Sequence, residues 1–464
     1  MKIKARTLLA ALALSVCFAA NASANLTTRI NGIISQSSQR KARFSIHVVK
    51  ADSGRTVYAH NAREALIPAS NMKIIITAAA LKYLGPDYQY KTQVGLCGDT
   101  LAVIGSGDPL LGDERTDKKY GRKVGWIFDD IAAKLKENGV QTVNDIVVDS
   151  SIFDDQRAHP NWPKEQLNQW YACEVSGLNY NDNCIEMTAK NKGGRISVTF
   201  EPKTDFITIV NKVSPTSKGN SAVGAYRNQQ PNKLIVKGKC NKQAGPFYVA
   251  IERPPAFFGY MLAENLIKVG ISTRGQLTER AVAANSNFRQ LAEYTTPISD
   301  CLNRSNKNSL GLVAEALLKT MAAQRHGGRN GSWQGGCDVI SQYLRSLGIS
   351  DNEFYIDDGS GLSRKNKLSA NTITKVLQSV YKSRNRQLYY DSLSVGGTDG
   401  TIRKRFNEQK YRGKIRGKTG YITGVRCLSG ICTGSGGDYI FSILKNGSTR
   451  KAIDDIVKAI IDSK

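Results

Sequence analysis

The segment Ser70–Leu84 restricts the fold of this chain more than any other part of its sequence. It consists mainly of alanine, isoleucine and other small or apolar residues, and Gly85-Pro86 follows it. This composition predicts a helix that ends at the Gly-Pro pair. Because the helix would be apolar on nearly every side, other elements must cover it all round, so it has to lie inside a domain.

Similar secondary-structure signals occur towards both ends of the chain. Strands are predicted shortly after residue 40 and again beyond residue 425, where an amphipathic helix, 452–461, follows. The region 97–290 is richer in polar strands and turns. We therefore predict one domain built from 25–96 plus 291–464, with 97–290 inserted into it. The length of 464 residues agrees with about three domains in all.

The first 24 residues have the organisation of a secretory signal peptide. Lys2, Lys4 and Arg6 precede a short apolar run, and Ala22-Ser23-Ala24 forms a small-residue cleavage site. The apolar run is too short to span a bilayer. We therefore expect residues 1–24 to be removed and the rest of the chain to be exported.

Eight of the nine cysteines follow the predicted cleavage site. An even number of cysteines in an exported chain favours disulfides. The chain has neither a CxxC pair nor an HExxH motif, so no metal site is predicted. The predicted disulfide pairs are Cys173/Cys184, Cys427/Cys432 and Cys301/Cys337.

The chain is strongly basic, with 65 Lys and Arg against 39 Asp and Glu, a net charge of +26. Such a charge is common in nucleic-acid-binding proteins, but export argues against a nucleic acid as the partner. We expect instead a peripheral association with an anionic envelope surface, either phospholipid headgroups or a cell-wall polymer.

Two short motifs carry the predicted chemistry. Ser70-Asn71-Met72-Lys73 is an SxxK sequence, in which the lysine amine can reach the serine hydroxyl on the same helix face. A desolvated lysine can then act as the base that activates the serine. Taken alone, the motif favours Ser70 as a plain helix N-cap. Four other SxxK sequences occur, but only this one leads into the long apolar helix; the others begin at Ser38, Ser379, Ser442 and Ser448.

The second motif, Lys418-Thr419-Gly420, occurs once and is predicted on a strand. It supplies a cation and a hydroxyl group, and its glycine leaves room for a substrate beside the strand. A basic strand end is the alternative interpretation of Lys418. SxxK near the start and Lys-Thr-Gly near the end is the arrangement of penicillin-binding proteins and class A β-lactamases.

Further stretches extend this similarity over nearly the whole chain. The chain resembles the D-alanyl-D-alanine carboxypeptidase/endopeptidase family of class C low-molecular-mass penicillin-binding proteins, the penicillin-binding protein 4 type of the peptidase S13 family. The stretches that carry the resemblance are 67–73, 105–109, 148–153, 161–163, 180–184, 358–364, 397–401 and 418–420.

The resemblance implies an α/β (α+β) fold. It would consist of a penicillin-binding/β-lactamase-like transpeptidase domain built from both termini, with two smaller, mainly β domains inserted. It also implies a periplasmic serine DD-peptidase that needs no cofactor. Such an enzyme hydrolyses D-Ala-D-Ala ends, D-Ala-diaminopimelate crosslinks, or both, in peptidoglycan stem peptides. β-Lactam antibiotics would inhibit it by acylating the same serine.

The resemblance also implies roles for individual residues. Ser70 would be the acylated nucleophile, Lys73 its base and Ser309 a proton relay. The backbone N–H groups of Ser70 and Tyr421 would form the oxyanion hole. The substrate-binding residues would be Lys418, Thr419, Gly420 and Tyr421, with the first two at the substrate carboxylate.

Two positions depart from the family pattern. Gly311 stands where the family's Ser-x-Asn motif has asparagine, so Asn306, Asn308 or water would have to compensate. Gln166 stands where relatives carry an acidic residue that recognises the substrate's free amino end, and Glu165 lies beside it. The first departure keeps open a catalytically weakened peptidoglycan-binding protein. A β-lactamase is the third hypothesis, against which the long insertion argues.

The segment Asp357–Gly361 and the serine at 363 leave two interpretations open. The segment could border the active-site cleft. It could also be a structural turn between a strand and a helix, which is the interpretation that its glycine and aspartate content favours.

Overall fold

The computed structural model describes residues 26–283 and 285–463. The predicted signal peptide, 1–24, lies outside these residues. The chain divides into two compact units. The first comprises the described residues up to Tyr83, Leu302–Ser309 and those from Cys337 onward, and the second comprises Leu84–Cys301 and Leu310–Gly336.

The first unit is built on a six-stranded antiparallel sheet that contains strands from both ends of the chain. Arg43–Lys50 pairs with Gly437–Asn446 over its full length, so an early strand lies beside a late one. In spatial order the strands are Ser394–Val395, Ile415–Ile422, Val425–Gly434, Gly437–Asn446, Arg43–Lys50 and Thr56–His60.

Helices cover both faces of this sheet. Alternate strand residues such as Ile46 and Val48 point into an apolar core shared with the helices 26–34 and Lys451–Ile461. On the other face, Ala370–Tyr381 packs against the strands and Met72–Tyr83 packs against that helix. The predicted buried helix is confirmed, because every residue from Met72 to Leu81 is buried. The first unit also contains the helix Arg386–Ser392 and a two-stranded sheet, Phe354–Tyr355 with Lys367–Leu368.

The described part of the second unit combines four sheets with several helices. A five-stranded sheet carries the helices Trp126–Glu137 and Pro254–Lys268, whose apolar residues Phe128, Phe257 and Phe258 fill its core. Its strands, in spatial order, are Leu277–Glu279, Ile146–Asp149, Thr100–Ile104, Gln89–Cys97 and Arg289–Pro297. A short pair, Thr142–Val143 with Ser272–Thr273, and the helices Glu114–Lys119 and Gly311–Arg325 complete this part.

Two three-stranded sheets of the second unit pack face to face through a shared apolar core. One contains Ala222–Tyr226, Lys233–Cys240 and Thr208–Pro215, in that spatial order, and is called the outer sheet below. The other contains Gln243–Ala250, Cys184–Lys192 and Arg195–Glu201 and is called the inner sheet. Two further helices, Ile298–Lys307 and Trp333–Ser346, lie where the chain passes between the units.

The described residues contain no disulfide. The predicted pair Cys427/Cys432 is wrong, because both residues lie in the single extended strand Val425–Gly434. Five residues of strand span about 16 Å, whereas the Cα atoms of a disulfide lie within about 7 Å of each other. Among the helices that the structure describes, none combines the length and the apolar character needed to cross a bilayer.

Candidate active site

Ser70 lies in a tight turn that leads into the buried helix. A single 3-10 turn, Ala69–Asn71, continues directly into Met72–Tyr83. Ala69 has a positive φ of 45°, which a non-glycine residue adopts only at an energetic cost. Such strain persists only where the surroundings enforce it, so the turn that carries Ser70 is held in place by its neighbours.

Two glycines allow neighbouring segments to approach this turn closely. A Cβ atom at Gly361 would lie 1.9 Å from the carbonyl oxygen of Ala69, and one at Gly420 would lie 2.6 Å from that of Pro68. Both distances are far shorter than a real contact. Glycine at these positions therefore brings the loop around 360 and the strand Ile415–Ile422 against the Ser70 turn.

Asn71 anchors the turn to the central sheet. Its side chain is fully buried, and its Nδ2 donates to Ser429 Oγ at 2.7 Å. Ser429 Oγ in turn donates to Ser442 Oγ on the adjacent strand at 2.9 Å. Asn71 is one of the two variable positions of the SxxK motif. Its hydrogen bond to the sheet fixes the position of the neighbouring Ser70.

The Lys73 amine lies next to the Ser70 hydroxyl. Lys73 Nζ is 3.2 Å from Ser70 Oγ and donates to the backbone carbonyl of Ser360 at 2.6 Å. The lysine side chain is 2% exposed. This geometry allows direct proton transfer between the serine and the lysine, and the Ser360 carbonyl orients the amine.

A second serine–lysine pair lies in the same unit. Lys418 Nζ donates to Ser309 Oγ at 2.8 Å and to the Thr419 carbonyl at 3.0 Å. Burial, and to a smaller extent the charge of Lys73, lowers the pKa of Lys418 well below its usual value. The structure therefore forms two serine–lysine pairs, Ser70 with Lys73 and Ser309 with Lys418, and places the two lysines close enough for their charges to interact.

The remaining predicted residues follow Lys418 along its strand. Thr419 donates from Oγ1 to Thr401 Oγ1 at 2.9 Å, Gly420 is buried, and Tyr421 is 65% exposed with the Arg426 guanidinium over its ring. Ser394–Val395 pairs only with the earlier part of this strand. Among the described strands, none covers the outer edge from Lys418 onward, so an extended peptide could align there.

The loop around Ser360 is organised by the buried carboxylate of Asp358. That carboxylate accepts hydrogen bonds from the backbone of Gly361 and Ser363 and from Asn366 Nδ2, each at 2.7 Å. The structural-turn interpretation describes this hydrogen-bonding pattern. The Ser360 carbonyl also accepts a hydrogen bond from Lys73, a contact that agrees with the cleft interpretation.

The two departures from the family pattern have distinct surroundings. Gly311 begins the helix Gly311–Arg325 and is buried. Asn306 does not replace the missing amide, because its Nδ2 donates to Thr77 and Ser392, and Asn308 accepts from Arg304. In the second unit, Gln166 Oε1 accepts from the Tyr171 hydroxyl at 3.2 Å.

Sequence reasoning missed two contacts in the site. The sequence gives no indication that the Ser360 carbonyl contacts Lys73, because any residue type supplies a backbone carbonyl. Thr401 lies in one of the stretches that carried the family resemblance, yet its bond to Thr419 depends on a turn that brings residues 397–401 next to the strand.

Comparison with known proteins agrees with this architecture. The sequence model of the family described as the D-Ala-D-Ala carboxypeptidase 3 (S13) family matches residues 26–463. The D-alanyl-D-alanine carboxypeptidase of Actinomadura sp. (strain R39) is 28% identical, over 91% of this chain and 81% of that protein. The D-alanyl-D-alanine carboxypeptidase DacB of Haemophilus influenzae is 25% identical, over 82% of this chain and 80% of that protein.

The crystal structure of penicillin binding protein 4 from Haemophilus influenzae has the same fold. It superposes with a TM-score of 0.80 at 22% identity and covers 93% of this chain and 98% of that chain. The structure of the same protein complexed with a β-lactam superposes with a TM-score of 0.74 at 21% identity. The predicted fold class, a penicillin-binding/β-lactamase-like domain of mixed helices and strands, is confirmed.

Proposed function

The chain belongs to the D-Ala-D-Ala carboxypeptidase 3 (S13) family of serine-type carboxypeptidases, and on that premise we propose that it hydrolyses peptidoglycan stem peptides through an acyl-enzyme on Ser70. The observation that carries the proposal is the pair of serine–lysine contacts, Ser70 with Lys73 and Ser309 with Lys418. The substrates are D-Ala-D-Ala ends and D-Ala-diaminopimelate crosslinks, in which the same kind of bond is cut.

Acylation begins when Ser70 Oγ attacks the carbonyl carbon of the D-alanine on the amino side of the cleaved bond. The Lys73 amine accepts the hydroxyl proton, and the backbone N–H groups of Ser70 and Tyr421 bind the oxyanion. The C–N bond then breaks, and the departing amine takes up a proton relayed through the Ser309 hydroxyl. Water finally attacks the ester, which releases the shortened peptide and restores Ser70.

Lys418 and Thr419 bind the carboxylate at the end of the substrate. Burial lowers the pKa of Lys418, whereas a bound carboxylate favours the protonated amine, because an opposite charge stabilises the cation. Substrate binding and protonation of Lys418 are thus coupled. β-Lactams acylate the same serine, a role supported by the β-lactam complex of the related Haemophilus protein. The proposed compartment is the periplasm, where peptidoglycan is accessible.

Labelling with a fluorescent penicillin tests the acylation step. Purified protein without residues 1–24 is expected to become labelled, and Ser70→Ala to remain unlabelled. Ser379→Ala is the matched control, because Ser379 also begins an SxxK sequence but its hydroxyl donates within its own helix to Val376. This control should label like the wild type, and persistent labelling of Ser70→Ala would refute the assignment of the nucleophile.

Hydrolysis is tested separately with defined muropeptides. Release of D-alanine from pentapeptides, or of monomers from crosslinked dimers, is the expected result. The second candidate function is a weakened peptidoglycan-binding protein, which Gly311 favours because glycine supplies no side-chain amide. Labelling by penicillin without product from either muropeptide would support that candidate, and rapid turnover of nitrocefin would identify a β-lactamase.

A further inference from the structure

A long stretch of the second unit contains only positive charges. Residues 206–250 include seven Lys and Arg residues and no Asp or Glu. They form the whole outer sheet and one strand of the inner sheet. Because the outer sheet buries one face, with residues such as Val213 and Val236, the alternate residues of its strands project from the opposite face.

Four lysines of this stretch lie on the exposed face of the outer sheet. Lys233, Lys237 and Lys239 alternate along the middle strand, and Lys212 is the register partner of Lys237 on the neighbouring strand. Tyr226 lies on the same face, 44% exposed, with the Lys237 amine 4.3 Å from its ring centre. Like charges directly opposite each other on a sheet destabilise it, so an external anion would relieve this repulsion.

One positive charge of this stretch is compensated within the protein. Arg227, from the same stretch, pairs with Glu174 and Glu252. Across the part of the chain that the structure describes, Lys212, Lys233, Lys237 and Lys239 have no carboxylate within ion-pair distance.

The exposed face of the inner sheet is different. There Glu186 and Glu201 are register partners and lie among Lys190, Lys192 and Arg195. That face therefore carries charges of both signs. The contrast singles out the outer sheet as a surface of one sign.

We propose that the exposed face of the outer sheet docks on a bilayer containing anionic phospholipids. Its amines are spread over a sheet surface instead of converging in a pocket, which suits a plane of charge better than a single anion. Lysine presents a mobile point charge on a long stem, and basic residues near a membrane are attracted by its negative surface potential. An exposed tyrosine among them suits the headgroup region, because its ring is apolar and its hydroxyl polar.

Co-sedimentation with lipid vesicles tests this docking. Protein without residues 1–24 is expected to bind vesicles of phosphatidylglycerol and phosphatidylcholine in equal parts and to dissociate from them as salt is added. It should not bind vesicles of phosphatidylcholine alone. The triple variant Lys212→Gln, Lys237→Gln, Lys239→Gln should lose about tenfold or more in partitioning. Arginine at the same three positions should restore binding, because the charge is retained.

The matched control removes three positive charges from the exposed face of the inner sheet: Lys190→Gln, Lys192→Gln and Arg195→Gln. It changes the net charge by the same amount and should bind nearly as well as the wild type. Equal losses in both triple variants would overturn the proposal, since net charge alone would then explain the binding. If the outer-sheet triple variant lost its retention on heparin but still bound vesicles, the occupant would be a soluble polyanion. That result would also overturn the proposal.

Penicillin labelling separates this proposal from the enzymatic one. The lysines of the outer sheet have no part in the acylation site, so the glutamine variants should label like the wild type. A variant that labels normally but no longer binds vesicles supports the docking face whatever the fate of the muropeptide assays. A chain that does not label with penicillin can still show the predicted difference between the two triple variants.

Discussion

His47 is a buried titratable residue on the face of the central sheet that packs against Ala370–Tyr381. Its Nδ1 is 2.6 Å from Thr374 Oγ1 and its Nε2 is 3.1 Å from Thr56 Oγ1. Burial lowers the pKa of His47 from 6.5 to about 4. The folded protein therefore holds a neutral imidazole under conditions in which the unfolded chain holds a protonated one.

This difference predicts an acid sensitivity that depends on His47. Between pH 6.5 and 4 the unfolded state binds a proton that the folded state does not, so stability falls as the pH falls through this window. His47→Gln removes the titrating group. Between pH 7 and 4.5 its free energy of unfolding should decrease by about 2 kcal/mol less than that of the wild type. Urea unfolding followed by circular dichroism at the two pH values measures this difference.

The comparison between variant and wild type is essential, because other groups titrate in the same range. Burial raises the pKa of Asp108 and of Asp117 to about 6. A raised carboxyl pKa makes stability fall as the pH rises through that region, opposite to the effect of His47. The contributions of Asp108 and Asp117 to stability are the same in His47→Gln and in the wild type, so they cancel when the two are compared. A pH-independent difference would contradict the buried-histidine explanation.

The residues that meet in the candidate site could largely be predicted from the sequence. Ser70 with Lys73 and Lys418 with Thr419 are short motifs, and the family resemblance supplied Ser309. Their chemistry depends on side-chain type, which a sequence displays. The Ser360 carbonyl could not be found in this way, because its contact with Lys73 depends on the path of the backbone.

At the scale of elements, the loop from Asp357 to Asn366 acts as a support for Lys73. The Asp358 carboxylate accepts three hydrogen bonds that hold the loop in shape, and the loop presents the Ser360 carbonyl to the lysine. Asp358 does not itself contact Ser70 or Lys73 through these bonds. We therefore regard it as a positioning residue.

Asp358→Asn tests that role. An amide has one acceptor oxygen in place of two and adds an N–H₂ group among donors, so the loop should relax and move the Ser360 carbonyl. We expect penicillin acylation to slow by about 10- to 100-fold, the effect of a displacement of about 1 Å in a catalytic group. The pH dependence of acylation should also shift, because a partner of the Lys73 amine is lost.

Asp351→Asn is the control for this variant. Asp351 is an exposed carboxylate of the same unit that pairs with Arg345 at 2.8 Å. Its loss should leave both the rate and the pH profile of acylation unchanged. A slower Asp358→Asn enzyme with an unaltered pH profile would argue for general destabilisation instead of a positioning role.

Element boundaries were predictable where local pattern decides them. The final helix, Lys451–Ile461, was found because its apolar residues recur at helical spacing. The strand predicted beyond residue 425 extends to Gly434, and its length follows from its pairing with the next strand, Gly437–Asn446, which the apolar pattern of one strand alone does not show. The wrong Cys427/Cys432 pair has the same origin, since a shorter strand would have left Cys432 in a turn.

At the scale of the whole molecule, the first unit depends on distant parts of the chain. Its sheet joins Arg43–Lys50 to Gly437–Asn446. The unit also includes the short segment Leu302–Ser309, which contains Ser309 and in the sequence separates two stretches of the second unit. The sequence indicated that both ends build one domain, because their patterns matched. It could not give the register of the strands, which is fixed only when the two ends meet.

The nearness of the two ends predicts that a circular permutant will fold. The helices 26–34 and Lys451–Ile461 share one apolar core, and Arg29 pairs with Asp462 at 3.4 Å. A Gly/Ser linker of about eight residues can therefore join residue 463 to residue 26. New ends can be opened between Gly193 and Gly194, an exposed hairpin turn in which both glycines have positive φ.

This permutant should be labelled by fluorescent penicillin at a rate within about twofold of the parent, because every contact around Ser70 is retained. A second permutant, opened between Ala79 and Ala80, has the same linker but interrupts the fully buried helix Met72–Tyr83. It should not be labelled, since severing a buried helix exposes its apolar residues and frees the turn that holds Ser70. Labelling of both permutants would mean that the buried helix does not position the nucleophile. Labelling of neither would mean that the early and late strands pair only when the chain is connected in its natural order.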